Sequence, residues 1–226
     1  MKRAEKPKKA RILIVDDHPM TRGGLTHLIN HQADTVVCGE AENAAQALDL
    51  LGVSWPDLML IDITLPGKSG LELIKDVKAI RPDLAMLVIS MHDESLYADR
   101  VLRAGARGYI TKHEGGEKLI GAIRHVLSGK IYVSENMSAH ILEIFSGGHP
   151  STDRSSIQNL SDREFEVFQA LGEGLSSHEI AKKLHLSSKT VDAHRTNIKS
   201  KLKINTTAEL ISFAARWTTT GLREPG

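Results

Sequence analysis

The first half of the chain alternates five short apolar runs with amphipathic segments, and this alternation limits the possible folds. The runs lie at residues 11–16, 35–40, 58–62, 84–90 and 108–111. They show no regular alternation with polar residues, as expected of strands that are buried on both faces. Between them, segments such as 44–51 and 71–80 repeat apolar residues three and four positions apart. The pattern predicts an α/β domain with a flavodoxin-like, doubly wound, five-stranded parallel sheet.

The second half of the chain is predicted to be helical from residue 160 onward. Candidate helix N-caps recur along it at Ser161, Ser176 or Ser177, Ser187, and Asn205 or Thr206. The segment from Ser161 to Glu164 also fits a capping box. We predict four short helices without a strand, and therefore a separate all-α domain.

A stretch at residues 146–156 is rich in Gly, Ser and Pro and lacks aliphatic side chains, which is typical of a flexible linker. A short helix is predicted just before it, from Glu135 to Phe145. The predicted order is a basic disordered tail, the α/β domain, a linker with a short helix, and the helical domain, at residues 1–10, 11–130, 131–156 and 157–226.

The formal net charge of +1 is unevenly distributed. Residues 11–145 carry a net charge of −5, whereas residues 157–226 carry +2, and residues 182–203 hold seven basic residues against one acidic residue. A basic patch of this kind favours contact with nucleic-acid phosphates. Cys38 is the only cysteine and excludes an internal disulfide, and no uncharged apolar run reaches about 18 residues. We expect a cytoplasmic protein with no membrane partner.

Polar residues end the predicted strands of the first domain. Asp16 and Asp17 close the first run, Asp62 closes the third, Ser90 ends the fourth, and Lys112 follows the fifth. The carboxyl ends of parallel strands meet at one edge of a sheet, so the three carboxylates are expected to lie close together and to need a cation. Hard oxygen ligands suit Mg²⁺. The sequence therefore predicts a magnesium-assisted phosphoryl-transfer site.

These residues stand in motifs that resemble the receiver domain of response regulators over about residues 11–130. The matching segments are Ile14–Pro19, Ile61–Gly70, Ile89–Ser90, Ala104–Tyr109 and Thr111–Lys112. Two positions differ from the common pattern, because Ser90 replaces a threonine and His113 stands where many receivers have proline.

The resemblance implies a role for each residue of the site. Asp62 would accept phosphate from the phosphohistidine of a sensor histidine kinase. Asp17, Asp62 and the backbone carbonyl of Thr64 would coordinate Mg²⁺, with Asp16 acting through the acidic cluster or a bound water. Lys112 would pair with a phosphoryl oxygen. Ser90 would move toward the phosphoryl group, and Tyr109 would turn inward behind it.

Residues 175–191 predict a helix, a short polar turn and a second helix, as in a helix-turn-helix. On a helical wheel, Val191, Ile198 and Leu202 share one face, with His194 at its edge. The opposite face is polar and basic. In an isolated helix this pattern would favour a merely solvated face, but the preceding helix and turn favour DNA binding.

The helical domain resembles the LuxR type over residues 157–217. The matching positions are Leu160–Glu164, Gly174–Ser176, Glu179–Ala181, Leu184, Ser187, Lys189–Val191, His194, Ile198, Lys201–Leu202 and Ala208–Leu210. The resemblance assigns the helix-turn-helix to Ser177, Glu179, Ile180, Ala181, Leu184, Ser187 and Val191. The candidate DNA contacts are Lys189, Thr190, Asp192, Ala193, His194, Thr196, Asn197, Lys199 and Lys201.

Both resemblances together indicate the NarL/FixJ family of response regulators. They imply a two-component transcription regulator that binds double-stranded DNA, forms a homodimer when phosphorylated or DNA-bound, and is not an enzyme beyond hydrolysing its own acyl phosphate. The sequence leaves two alternatives open: a regulator that binds DNA without phosphorylation, and an enzyme. A phosphatase is disfavoured because no second carboxylate stands two residues after Asp62, and a dinucleotide oxidoreductase because no Gly-x-Gly-x-x-Gly follows the first strand.

Overall fold

The computed structural model describes residues 9–139, 157 and 159–221. The chain divides into two compact units, residues 1–94 with 100–133, and residues 95–99 with 134–226. Residues 1–8 of the predicted tail and most of the predicted linker lie outside the described residues. Residues 135–139 are helical, as expected for the start of the helix predicted from Glu135.

The first unit contains the predicted five-stranded sheet. Its strands are β1 Ala10–Val15, β2 Thr35–Ala41, β3 Leu58–Ile61, β4 Ala85–Ser90 and β5 Tyr109–Thr111. They are all parallel and lie in the order β2-β1-β3-β4-β5. The prediction of a flavodoxin-like sheet is confirmed. The four residues of β3 are all fully buried, which explains their unbroken apolar run.

Five helices alternate with these strands. They are α1 Pro19–Asn30, α2 Ala44–Ser54, α3 Gly70–Ile80, α4 Glu94–Ala104 and α5 Gly116–Leu127. Apolar residues of α1 and α5 pack with one face of the sheet in a buried cluster that includes Ile14, Leu60 and Ile123. The helices carry the chain back between strands, so all five strands run in the same direction and their carboxyl ends lie at one edge of the sheet.

Two boundaries of the first unit differ from the prediction by a few residues. Strand β1 begins at Ala10, which pairs with Thr35, so this residue is not part of a tail. Tyr132 forms a parallel bridge with Gly108, and its carbonyl accepts a hydrogen bond from Tyr109. The chain therefore continues in the first unit beyond residue 130. The prediction ended too early because the apolar pattern of the sequence does not reveal backbone pairing with β5.

The second unit holds the four predicted helices, α6 Asp162–Gly172, α7 Ser177–Lys183, α8 Ser188–Leu202 and α9 Thr207–Gly221. Ser161 and Ser176 close capping boxes with Glu164 and Glu179, and Ser187 caps α8. Among the described residues, no strand occurs in this unit, and no helix is long and apolar enough to cross a membrane.

Candidate functional site

The backbone ladder of the sheet brings the predicted acidic residues together at its carboxyl edge. The Asp62 amide donates to the Val15 carbonyl at 2.8 Å, and the Lys112 amide donates to the Ser90 carbonyl at 2.7 Å. Each bond extends strand pairing by one residue beyond the strands themselves. Gly70 lies directly behind Asp62, since a β-carbon there would stand 2.1 Å from the Asp62 carbonyl oxygen. The loop after β3 is therefore held tightly in place.

Lys112 bridges two of the carboxylates. Its Nζ donates to Asp16 Oδ2 at 2.7 Å and to Asp62 Oδ2 at 2.5 Å. The Asp16 side chain is fully buried and that of Asp62 is 6% exposed. Two buried carboxylates that share one ammonium partner would repel each other strongly if that cation were absent. Lys112 supplies that cation.

Burial raises the pKa of Asp62 to about 6, although the Lys112 ammonium opposes the rise. For Lys112, burial disfavours the charged form, but Asp62 and Asp16 outweigh it and raise the pKa of the ammonium. At neutral pH the pair therefore consists of a carboxylate and an ammonium. An ionised Asp62 is what a nucleophile at this position requires.

Asp16, Asp17, His18 and Asp62 each offer a possible metal ligand, and these ligand atoms lie within 4.8 Å of one another. The donor set fits Mg²⁺, which is held in proteins by one or two carboxylates and several waters. His18 was not part of the predicted cluster; its Nδ1 lies 2.7 Å from Asp17 Oδ1. The amide of Thr64, whose carbonyl was predicted as a ligand, donates to Asp62 Oδ1 at 3.3 Å.

Ser90 and Tyr109, the two predicted switch residues, both hydrogen-bond to the backbone of His92. The His92 amide donates to Ser90 Oγ at 3.2 Å, and the Tyr109 hydroxyl donates to the His92 carbonyl at 2.8 Å. Tyr109 is turned inward and buried, and burial raises its pKa, so the phenol stays protonated as a donor. His92 Nε2 also lies 3.2 Å from Thr64 Oγ1. Sequence reasoning missed His92.

In the second unit, α7 and α8 form the predicted helix-turn-helix. The predicted positions Ile180, Ala181, Leu184 and Val191 are buried, as is Ile198 further along α8. The polar predicted positions act at helix ends: Glu179 in the capping box of α7 and Ser187 as the cap of α8. Ser177 joins the two helices by donating to Asp192 Oδ1 at 2.8 Å.

The face of α8 opposite its buried residues is exposed. Seven of the predicted DNA contacts are exposed, while His194 and Lys199 are partly buried. The exposed residues are Lys189, Thr190, Asp192, Ala193, Thr196, Asn197 and Lys201. Arg195, which was not predicted, donates to Ser177 Oγ at 2.5 Å and lies 3.5 Å from Asp192 Oδ1. It therefore helps to fix Asp192.

Lys201, another predicted DNA contact, forms an ion pair within the unit. Its Nζ donates to Glu164 Oε2 at 2.6 Å. Burial would raise the pKa of Glu164, but Lys201 and the Ser161 amide outweigh it and hold the pKa below its usual value. This ion pair ties α8 to the start of α6, which makes Lys201 less available than Lys189 for a DNA phosphate.

Models of two protein families match the chain. The response regulator receiver domain matches residues 12–124, and the luxR family of bacterial regulatory proteins matches residues 158–214. The oxygen regulatory protein NreC of Staphylococcus carnosus (strain TM300) is 34% identical over 210 residues, covering 91% of this chain and 97% of NreC. The NreC protein of Staphylococcus aureus (strain MRSA252) is 35% identical with the same coverage.

Solved structures are also similar. A LuxR-family two-component response regulator from Aurantimonas sp. SI85-9A1 is 34% identical, with a TM-score of 0.57 over 62% of this chain and 99% of that one. RcsB from Salmonella enterica serovar Typhimurium, bound to promoter rprA in the presence of the phosphomimetic BeF3-, is 26% identical. Its TM-score is 0.62, and the match covers 92% of this chain and 99% of RcsB.

Proposed function

Because this chain belongs to the response regulators that join a receiver domain to a LuxR-type DNA-binding domain, we propose that Asp62 accepts the phosphoryl group that controls its binding to DNA. The chain is a two-component transcription regulator and not a conventional enzyme. The observation that carries the proposal is the buried bridge from Lys112 to Asp16 and Asp62. We propose that the receiver spans about residues 10–133 and that residues 157–226 form the DNA-binding domain.

The proposed reaction is phosphotransfer from the phosphohistidine of a sensor histidine kinase. An Asp62 carboxylate oxygen attacks phosphorus and forms an O–P bond, the P–N bond breaks, and its electron pair returns to the histidine ring. Asp17, Asp62 and the Thr64 carbonyl would hold Mg²⁺, with Asp16 acting through the cluster, and the ion would neutralise charge on the phosphoryl oxygens. Lys112 is already directed at Asp62 and would pair with one of those oxygens.

Ser90 and Tyr109 are proposed to carry the signal away from Asp62. The Ser90 hydroxyl lies at the edge where Asp62 stands and can donate to a phosphoryl oxygen. Tyr109 is linked to the same loop through the His92 carbonyl. Hydrolysis of the acyl phosphate by water would reset the site.

DNA recognition is proposed for the exposed face of α8. Lys189 and Lys199 would contact phosphates, which set position and salt dependence. Asp192, Thr196 and Asn197 would face base edges, where a carboxylate accepts from cytosine and an asparagine can pair with adenine. The RcsB structure with promoter DNA and a phosphomimetic supports this coupling of phosphorylation to DNA binding.

Dimerisation is proposed for α9, whose apolar residues exceed what a small domain needs. Within the unit, Phe213 and Trp217 pack against Phe168, with ring centroids 5.8 and 5.7 Å apart. Ile211 is left 39% exposed on the same helix. We therefore propose Ile211 as part of a contact between two copies.

The phosphorylation test is labelling of the full chain by a small phosphodonor such as acetyl phosphate with Mg²⁺. We expect one phosphate on the wild type and none on Asp62→Asn, whereas Asp49→Asn, an exposed carboxylate on α2, should be labelled normally. Equal labelling of wild type and Asp62→Asn, or none of the wild type, would overturn the assignment of Asp62.

The gating test is footprinting on genomic fragments with phosphorylated wild type, unphosphorylated wild type and Asp62→Asn. We expect protection by the phosphorylated protein at concentrations where the other two leave DNA unprotected. Equal affinity in the two states would refute gating and favour a regulator that binds DNA without phosphorylation. Turnover of added phosphoesters would instead favour a phosphatase.

A further inference from the structure

Arg22 is a charged side chain buried on α1 near the acidic cluster. Its side chain is 10% exposed. A buried guanidinium is costly unless each of its donor groups finds an acceptor. The partners of Arg22 therefore indicate what the residue does.

These partners lie on the backbone and side chains at the edge that holds the acidic cluster. Arg22 Nη1 donates to the main-chain carbonyl of Asp16 at 2.6 Å. Nη2 donates to Glu42 Oε1 at 2.9 Å, and Nε lies 3.7 Å from Glu40 Oε2. One rigid, planar group thus connects α1 to the ends of β1 and β2. A lysine, with a single nitrogen, cannot reproduce this geometry.

The contact with the Asp16 carbonyl bears directly on Asp17. The two residues share one planar peptide unit, so fixing the carbonyl of Asp16 also fixes the amide of Asp17. The carboxylate of Asp16 is held separately, by the His18 amide at 2.8 Å and by Lys112. Arg22 therefore restrains the Asp16–Asp17 peptide in the loop between β1 and α1. The orientation of this peptide helps to set the direction in which the Asp17 side chain leaves the backbone.

We infer that Arg22 is a positioning residue for the divalent-cation site, acting by holding the Asp16–Asp17 peptide so that Asp17 faces Asp62. The inference rests on the proposed function, in which Asp17 and Asp62 hold Mg²⁺. Arg22 is not one of the residues proposed to hold the cation. Outer residues that orient metal ligands typically change metal affinity by about 10-fold to 100-fold when they are replaced.

Arg11 provides a matched control within the same unit. Its guanidinium also clamps a backbone carbonyl, because Nε and Nη2 donate to the Ser54 carbonyl at 3.0 and 2.7 Å. Arg11 is the second residue of β1, about 16 Å from the acidic cluster at about 3.3 Å for each strand residue. Arg11→Lys should therefore cost stability as Arg22→Lys does, without affecting the cation site.

The test measures Mg²⁺ dissociation constants by titration calorimetry on the full chain, together with thermal stability. We expect Arg22→Lys to weaken Mg²⁺ binding by about tenfold and Arg11→Lys to change it by less than about twofold, at a similar loss in Tm. Glu42→Ala removes one acceptor of Arg22 at a half-exposed position. Its Mg²⁺ affinity should lie between the affinities of the wild type and Arg22→Lys.

Equal Mg²⁺ affinity in wild type and Arg22→Lys, or equal losses in the two arginine variants, would overturn the inference. If Arg22→Lys does not fold, Glu42→Ala decides, and an unchanged affinity in that variant refutes the positioning role. Failure of the proposed function is distinguishable, because the wild type itself would then take up neither Mg²⁺ nor phosphate.

Discussion

Asp62 carries its charge in a buried position, and we expect this charge to lower the stability of the first unit when no divalent cation is present. Asparagine has nearly the same shape without the charge. In the presence of EDTA at neutral pH, Asp62→Asn should therefore be more stable than the wild type. Lys112 keeps its contact with Asp16 in the variant, at 2.7 Å in the wild-type geometry.

The size of the effect follows from the raised pKa of Asp62, about 6 against an ordinary value of 3.8. The folded state binds the Asp62 proton more tightly than the unfolded chain does. The contribution of Asp62 to stability is therefore greatest below pH 3.8 and is lost as the pH rises through about 6. The full difference is worth about 3 kcal/mol at about 1.4 kcal/mol for each pKa unit. The attraction of Lys112 is already included, because it contributes to the pKa itself.

Hydrogen exchange of the β3 amides measures this difference for the first unit alone. By the same linkage, Asp62→Asn should exchange about 150-fold more slowly than the wild type at pH 7.5, but only about sixfold more slowly at pH 4.5. Asp49→Asn, which neutralises an exposed carboxylate in the same unit, should match the wild type at both pH values. If Asp62→Asn exchanges as fast as the wild type at pH 7.5, the buried charge does not cost what the geometry implies.

Three further predictions concern single side chains. Lys112→Gln should lower stability in EDTA by about 3 to 5 kcal/mol, because it leaves buried carboxylates without a cation; added Mg²⁺ should restore part of the loss in thermal unfolding. Lys189→Ala should reduce the slope of log K against log salt by about 1 in anisotropy titrations with a bound DNA fragment, whereas Lys201→Ala should leave it nearly unchanged. Glu164→Gln should lower the stability of the second unit by about 1 kcal/mol at pH 7, which is more than Glu179→Gln should. Because the pKa of Glu164 is lowered in the folded state, this contribution to stability is present above pH 4.5 and is lost as the pH falls below that value.

Much of the first unit could be predicted from sequence because its strands are apolar on both faces. Such strands need helices on both sides of the sheet, and helices alternating with parallel strands leave few topologies. Once the topology is fixed, the residues that end the strands must meet at one edge. Asp16, Asp62 and Lys112 were therefore brought together by the sheet order alone, and the structure places them in direct contact.

The parts that sequence did not reveal depend on long side chains and backbone atoms. Arg22 interrupts an apolar helix face and looks like a solvated charge until its carbonyl partner is known. His92 acts mainly through its amide and carbonyl, which any residue except proline would supply. Lys201 stood among exposed basic residues of α8, but its partner Glu164 lies 37 residues earlier. No local pattern marks contacts of this kind.

The hydrogen bonds around Ser90 connect the charge on Asp62 to the position of Tyr109. A phosphoryl group on Asp62 brings additional negative charge into a buried site and requires new donors, and Lys112 and the Ser90 hydroxyl are donors at that edge. The Ser90 oxygen now accepts from the His92 amide, so a shift of Ser90 toward the phosphoryl group loosens that bond. The His92 carbonyl in turn accepts from the Tyr109 hydroxyl. Two hydrogen bonds thus connect Ser90 to the large buried side chain of Tyr109. We propose that a change of charge at Asp62 becomes a change of packing by this route.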